Sequence, residues 1–381
     1  MNTTTYTLQQ LILYFLKLGT IGFGGPVALV GYMHRDLVEK RKWITDEDYK
    51  EGLALAQLAP GPLAAQLSIY LGYVHYRILG ATLAGIAFVL PSFIMVLGLG
   101  YAYIQAGGLP WMQAVFFGVG ASVIGIIAIS SYKLSRKSLD KNWLLWSIAV
   151  VLAITTIITE REILWLILLA GIIVWLYKSP PKFSGTLNTI LFVPILLQVS
   201  GNSWMNEKLA QIGWFFFKAG AFVFGSGLAI VPFLYGGVVK EYQWLNEQQF
   251  LDAVAVAMIT PGPVVITVGF IGYIVAGVPG ACVAALATFL PCYLFTIIPA
   301  PYFKKYGKHP AIKAFVNGVT AAAIGAIAGA VCVLGNRQLT DITSVALAVV
   351  TILVLLRFKK IQEPFVILVA AILGLLIKNY L

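Results

Sequence analysis

The chain has 381 residues, 60% of them hydrophobic and 11% charged, a composition far outside that of soluble domains and one that excludes a soluble enzyme or binding module. Its net charge of +11 does not mark a nucleic-acid partner, because the Lys and Arg residues stand in short loops between apolar runs, where they orient a polytopic protein in the lipid bilayer. The runs do not alternate apolar with polar residues, so they read as helices and not as barrel strands.

Taken in chain order, apolar runs suited to a hydrocarbon core of ~30 Å fall near 9–33, 81–103, 113–132, 143–158, 163–177, 211–238, 281–300, 313–334, 341–357 and 362–378. The leading "MNTTTYTLQQ" has no basic region and no cleavage site follows the first run, so that run is expected to stay as a span. Cys282, Cys292 and Cys332 lie inside apolar runs without metal-ligand spacing and read as small buried hydrophobes. No metal or other cofactor is expected.

The first run holds "LKLGTIGFGGP" (16–26). Its glycines either unwind the helix, so that a new one opens with free N–H groups after Gly25 and Pro26, or serve close helix packing. Lys17 in the same stretch either snorkels to the interface or lends positive potential to an intramembrane anion path.

The next apolar stretch, 51–76, is interrupted by "APGP" at 59–62. Its first limb, Tyr49 to Ala59, is about 16 Å long, enough to reach the midplane and no further. Pro60 stops that limb, Gly61 permits a sharp turn, and Pro62 stands where a new helix loses nothing by lacking an N–H. The free N–H groups near Leu63 and Ala64 then carry the positive end of a helix dipole to mid-membrane, which suits an anion. Carbonyls at the end of the first limb oppose this. Gln57, Gln66, Ser68, Thr260, Thr267 and Asn317 are further polar groups at membrane depth.

The remainder of the chain repeats this plan. Pro60 falls on Pro261, a shift of 201 (261 − 60), as do Lys17 on Lys218, Trp43 on Trp244 and Phe23-Gly24 on Phe224-Gly225. After the Pro-Gly-Pro the shift becomes 200, carrying Pro91 onto Pro291, Gly118 onto Gly318 and Gly125 onto Gly325. The chain therefore divides into a repeat over 1–177, a linker over 178–209 containing "KSPPKFSG", and a second repeat over 210–381. Glu51 and Asp252 also match at 201, each nine residues before its proline. They are expected near a cavity mouth, either as proton-coupling carboxylates or as solvated interfacial ones.

Internal repeats of this kind are typical of transporters whose halves share a central site. If each Pro-Gly-Pro segment is a re-entrant hairpin, twenty basic loop residues share one side of the membrane, against four on the other: Arg161, Lys240, Arg337 and Lys378. If both segments cross fully, the split falls to fourteen against ten, a much weaker bias. The expectation is an all-α protein of two inverted repeats, each with five spans and one re-entrant hairpin, and with both termini outside.

"LKLGTIGFGGP", "LAPGP" (58–62), "FKAGAFVFGSG" and "ITPGP" together resemble the chromate ion transporter family, whose long members are two homologous halves. The resemblance covers nearly the whole chain. It implies a proton-motive-force-dependent exporter of chromate in the inner (plasma) membrane, with sulfate as a structurally similar oxyanion. Position by position it implicates Phe23, Gly24, Gly25, Pro26, Gln57, Pro60, Gly61 and Pro62, with Gly225, Ser226, Gly227, Thr260, Pro261, Gly262 and Pro263 as counterparts. There the pattern departs: Ser226 replaces the second glycine, Gly227 the proline and Met258 the glutamine. Neither the resemblance nor the residues separate chromate from sulfate or molybdate, and an anion channel is the alternative to a carrier. Nothing in the sequence provides a nucleophile with a base at suitable spacing, so no enzyme is expected. Whether the chain pairs as a homodimer is left open.

Overall fold

The computed structural model of the chain describes residues 6–23, 25–106, 110–139, 142–160, 163–180, 204–222, 230–303, 309–339, 341–358, 361 and 363–380. These residues are overwhelmingly helical, with no strand among them, and form an all-α membrane protein. Four helices are long and apolar enough by themselves to cross a bilayer, and five shorter apolar helices accompany them.

In the first half, α1 (Leu8–Ile21) is opened by a Thr7–Gln10 capping box, which satisfies two orphan N–H groups. It stops at Gly22, and α2 (Gly25–Met33) begins a new helix, so the glycine-rich run does break the span. α2 continues into a π-helical turn, His34–Lys40. Thr45 then caps α3 (Asp46–Leu58). α4 (Leu63–Ala106) turns sharply at Arg77 (φ 53°, ψ −142°), and Gly72 packs on Gly80 while Gly85 faces Ile69. Its limbs, 63–76 and 78–106, therefore run antiparallel. α3 and the first limb span about 20 Å each, too short for the hydrocarbon core, whereas the second limb spans about 43 Å.

The second half repeats these local events. α8 (Trp204–Phe222) and α9 (Val231–Leu234) flank residues outside the description, a π-helical turn covers Tyr235–Glu241, and a capping box at Asn246 opens α10 (Glu247–Ile259). α11 (Thr267–Ile297) follows a 3-10 turn, Val264–Ile266, and reverses at Gly277 (φ 61°, ψ −153°). Arg77 thus holds a conformation that its counterpart leaves to glycine, a strain of about 1–3 kcal/mol.

Both halves end in three helices: α5 (Pro110–Ser138), α6 (Trp143–Thr159) and α7 (Leu164–Lys178), then α12 (Pro310–Gln338), α13 (Ile342–Arg357) and α14 (Glu363–Tyr380). These do not pack half by half. α12 lies against α6 and α7, and α5 against α13 and α14. Glycines set the closeness: Gly325 meets Ala149 and Gly329 meets Ala153, so α12 and α6 run parallel. Gly118 meets Ala370 and Gly374 meets Ala114, so α5 and α14 run antiparallel. Backbone approach at small residues is what holds helices together where lipid removes the hydrophobic drive. Of the three cysteines only Cys292 is buried; Cys282 is half-buried and Cys332 exposed, against the expectation for all three.

A Cβ at Gly325 runs into the Ala149 backbone, whereas one at Gly98 meets nothing within 4 Å. Gly325→Val is expected to lower the thermal unfolding midpoint of the detergent-solubilised protein, the overpacking costing about 1–3 kcal/mol. Gly98→Val leaves the midpoint unchanged.

Candidate functional site

The two Pro-Gly-Pro segments close two helical hairpins. At the first tip α3 ends at Ala59, and Gly61 takes a φ of 141°, open to glycine and strained for other residues. Pro62 occupies the cap position, so Gln66 N–H donates to the Pro62 carbonyl at 3.0 Å and closes the first α-turn. The Gln66 side chain folds back, its Nε2 donating to the Pro60 carbonyl at 2.8 Å. Long helical side chains lean toward the N-terminus in this way.

The second tip meets the same problem differently. Gly262 has a φ of 99°, and its N–H donates to the Gly22 carbonyl of the first half at 3.0 Å. Ser92 Oγ, also from the first half, donates to the Pro261 carbonyl at 2.6 Å. Ile266 N–H reaches Pro263 at 2.9 Å across a 3-10 turn. One residue fewer winds the turn tighter, which is where the repeat shift drops from 201 to 200.

Each tip rests on the long helix of the other half. Gly61 stands next to Cys292 of α11, and Gly262 next to Ser92 of α4. Ser92 lies fourteen residues from either end of the 78–106 limb (92 − 78 and 106 − 92), so the second tip meets that limb halfway. Near the limb's far end, Tyr103 Oη donates to Asp252 Oδ2 at 2.8 Å, and Gln248 Nε2 donates to Oδ1 at 2.9 Å. The limb that starts at the base of the first hairpin therefore ends alongside the middle of α10 in the second.

The sequence-predicted residues fall into three groups. Pro60, Gly61, Pro62 and Leu63 are gathered at one tip, and Thr260, Pro261, Gly262 and Pro263 at the other, the second wholly buried and the first partly. Thr260 is not a free donor, because its hydroxyl bonds the Val256 carbonyl. Gly25 and Pro26 open α2, beside the exposed Phe23. Gly24, Gly225, Ser226 and Gly227 lie outside the described residues.

The remaining candidates are not drawn together. Gln57 is exposed on α3, and Lys17 is exposed on α1. Lys218 is half-buried, its Nζ over the Trp214 ring at 5.7 Å. Glu51 is half-buried and hydrogen-bonded to Tyr70, whereas Asp252 is only 3% exposed and so is not at an open mouth. Ser92 and Tyr103 escaped the sequence reading, though the shift of 200 sets Ser92 against Cys292 and Tyr103 against Phe303.

Broken helices, paired hairpins and a duplicated helical body define a polytopic membrane transport protein built from two related halves. The model of the chromate transporter family matches residues 9–175 and again 210–375, and the chain belongs to that family. It is 69% identical over 374 residues to the chromate transport protein of Cupriavidus metallidurans, covering 97% of this chain and 93% of that one. It is 62% identical to the probable chromate transport protein of Synechococcus elongatus, over 97% and 96% of the two chains. It is 32% identical to the chromate transport protein of Pseudomonas aeruginosa, over 84% and 79%. No solved structure matches.

The positive φ at both tip glycines and the adjacent Ser92 Oγ and Gln66 amide leave no room for a side chain. Gly262→Ala and Gly61→Val are expected to abolish oxyanion binding while circular dichroism keeps the parental helix content. Pro62→Ala is milder, since it restores an N–H where none is needed. Parental tracer binding by Gly262→Ala would show that the tips are packing kinks.

Proposed function

We propose that the protein exports a small tetrahedral oxyanion, chromate, across the plasma membrane under the proton motive force, with sulfate as a competing substrate of similar shape. The anion binds near the bilayer midplane at the helix N-termini that open at the two Pro-Gly-Pro tips. One observation carries this reading: a tip that opens a helix lies halfway along a limb long enough to cross the membrane. Free N–H groups there have no lipid partner, and irregular backbone at such depth survives where protein or a ligand-filled cavity covers it.

The reading includes two inverted repeats with re-entrant hairpins and external termini. Support comes from the Tyr103–Asp252 hydrogen bond, which ties the region near one end of the crossing limb to the middle of α10 in the opposite hairpin. The helix directions agree with it. α12 runs parallel to α6 and α14 antiparallel to α5, so α12 opposes its counterpart α5 if each short connector reverses the chain. Lys17 and Lys218 add long-range positive potential. Glu51 and Asp252 are the coupling carboxylates, and the buried Asp252 is the stronger candidate of the two because Tyr103 joins it directly to the crossing limb of the other half.

In proteoliposomes, radiolabelled chromate flux is expected to saturate with concentration, to be competed by sulfate, and to collapse when the imposed proton and voltage gradients are removed. Ohmic unitary currents in a planar bilayer would make the protein a channel. Single cysteines in loops 34–50 and 301–313 are expected to react with an impermeant maleimide from the same, cytoplasmic side; labelling from opposite sides overturns the inverted arrangement. Lys17→Met and Lys218→Met are each expected to weaken chromate binding by less than about 4 kcal/mol, the interaction of a unit charge with a dianion 8 Å away at an effective dielectric of ~20. Unchanged binding in both assigns these lysines to interfacial anchoring.

A further inference from the structure

Gln66 is fully buried, and its Oε1 is the one buried side-chain polar atom without a hydrogen-bond partner among the described residues. Leaving such an acceptor unmet carries the desolvation penalty of the group with nothing to offset it. The amide cannot be flipped to relieve it, because the Pro60 carbonyl only accepts and therefore fixes the NH2 group toward itself at 2.8 Å. The orphan atom is thus an acceptor that requires a donor. The Gln66 amide packs against Gly61 at the start of the α4 limb, where Pro62 brings no capping side chain to the N–H groups of Leu63, Ala64 and Ala65.

A fully ionised tetrahedral oxyanion offers four acceptor oxygens and no donor. It suits the N–H groups and repels Oε1. A singly protonated oxyanion offers three acceptors and one O–H, which matches a site with several donors and one acceptor. It is also easier to take out of water, since the Born cost scales with the square of the charge and falls to about one quarter from dianion to monoanion.

Resting on the oxyanion reading given above, we propose that Gln66 Oε1 accepts a hydrogen bond from the hydroxyl of a singly protonated tetrahedral oxyanion, so that the first tip binds the monoanion in preference to the dianion. The second tip has no such selector. Ile266 closes its first turn in place of Gln66, and Ser92 supplies the donor that the Pro261 carbonyl needs. The transported species brings its own proton, and it does so at one tip of the two.

The test measures binding of chromate and of selenate to the purified full chain across the second pKa of chromate. Selenate is a similar tetrahedral ion that stays dianionic over that range, so titration of protein groups acts on both ligands and protonation of the ligand on chromate alone. Above that pKa chromate affinity is expected to fall about tenfold per pH unit until it reaches that of selenate, which is lower and flat throughout and marks the weaker dianion binding by which sulfate competes.

The double variant Gln66→Ile with Cys292→Ser transplants the second tip's solution into the first, the new hydroxyl at position 292 taking the Pro60 carbonyl as Ser92 takes that of Pro261. It is expected to bind chromate and selenate alike, without the pH slope. A variant that keeps the chromate slope overturns the proposal and leaves Gln66 as a clamp on Pro60. So does wild-type protein that binds selenate as tightly as chromate below the pKa, which would also mean that Oε1 holds only a water; that comparison stands even if the variant does not fold. If wild-type protein binds neither ion at any pH, the oxyanion reading itself falls, together with this inference.

Discussion

The hydrogen bond from Ser92 to the Pro261 carbonyl joins the two halves at the point where each is weakest. A helix stopped inside a bilayer leaves carbonyls and N–H groups that lipid cannot meet. An interior proline costs about 3 kcal/mol in an ordinary helix, and here two occur within three residues. The first half meets its own Pro60 carbonyl through Gln66, but the second half contains no such remedy. The second tip takes a hydroxyl from α4 and a carbonyl, that of Gly22, from the end of α1. Because that carbonyl belongs to the break in the first half's own helix, two interruptions in different halves satisfy each other.

The same dependence governs the rest of the body. α6 and α7 rest on α12, and α13 and α14 rest on α5, with glycine set against backbone at each crossing. In lipid such contacts are the main cohesive term, so removing one half takes away the packing surface of the other. Duplication thereby became interlocking, and the halves were free to diverge in chemistry at the tips while their glycines kept the crossings. Gln66 paired with Cys292, and Ile266 paired with Ser92, are two complete answers to one unsatisfied proline carbonyl. Exchanging a single member leaves that carbonyl either bare or with two competing donors.

Features set by local backbone chemistry were legible in the sequence. Pro-Gly-Pro stops, turns and restarts a helix whatever surrounds it, and both hairpins stand where the motif puts them; the break at Gly22 was one of two readings that the glycine-rich run left open. The 3-10 turn after Pro263 lay behind a one-residue change of shift that was visible but had no conformation attached to it, and the duplicated π-helical turns kept the shift of 201 and left no such mark. The reversal at Arg77 was hidden, because arginine carries no signal for a positive φ; its partner Gly277 does. Tertiary facts were the least legible. Nothing local announces that Ser92 donates across the interface, that Asp252 is sealed by Tyr103, or that the three closing helices of each half pack on those of the other. Lys17 and Lys218 looked equivalent by position, yet one is exposed and the other lies over Trp214, since side-chain surroundings differ between halves even where the backbone repeats.

The placement of charge also has a physical order. The net charge of +11 resides largely in loops, and neither tip carries an ionised side chain. A lysine at mid-depth must itself be desolvated, at a cost of several kcal/mol. The partial charges at a helix N-terminus come with the break that the prolines already impose, and they are fixed in direction by the turn. Dipoles also hold an anion less firmly than a buried cation does, which matters for a protein that must let its ligand go: a site has to be favourable enough to enter and weak enough to leave. On the proposed reading, a donor-rich tip held by prolines, with basic loops at a distance, attracts an oxyanion without trapping it.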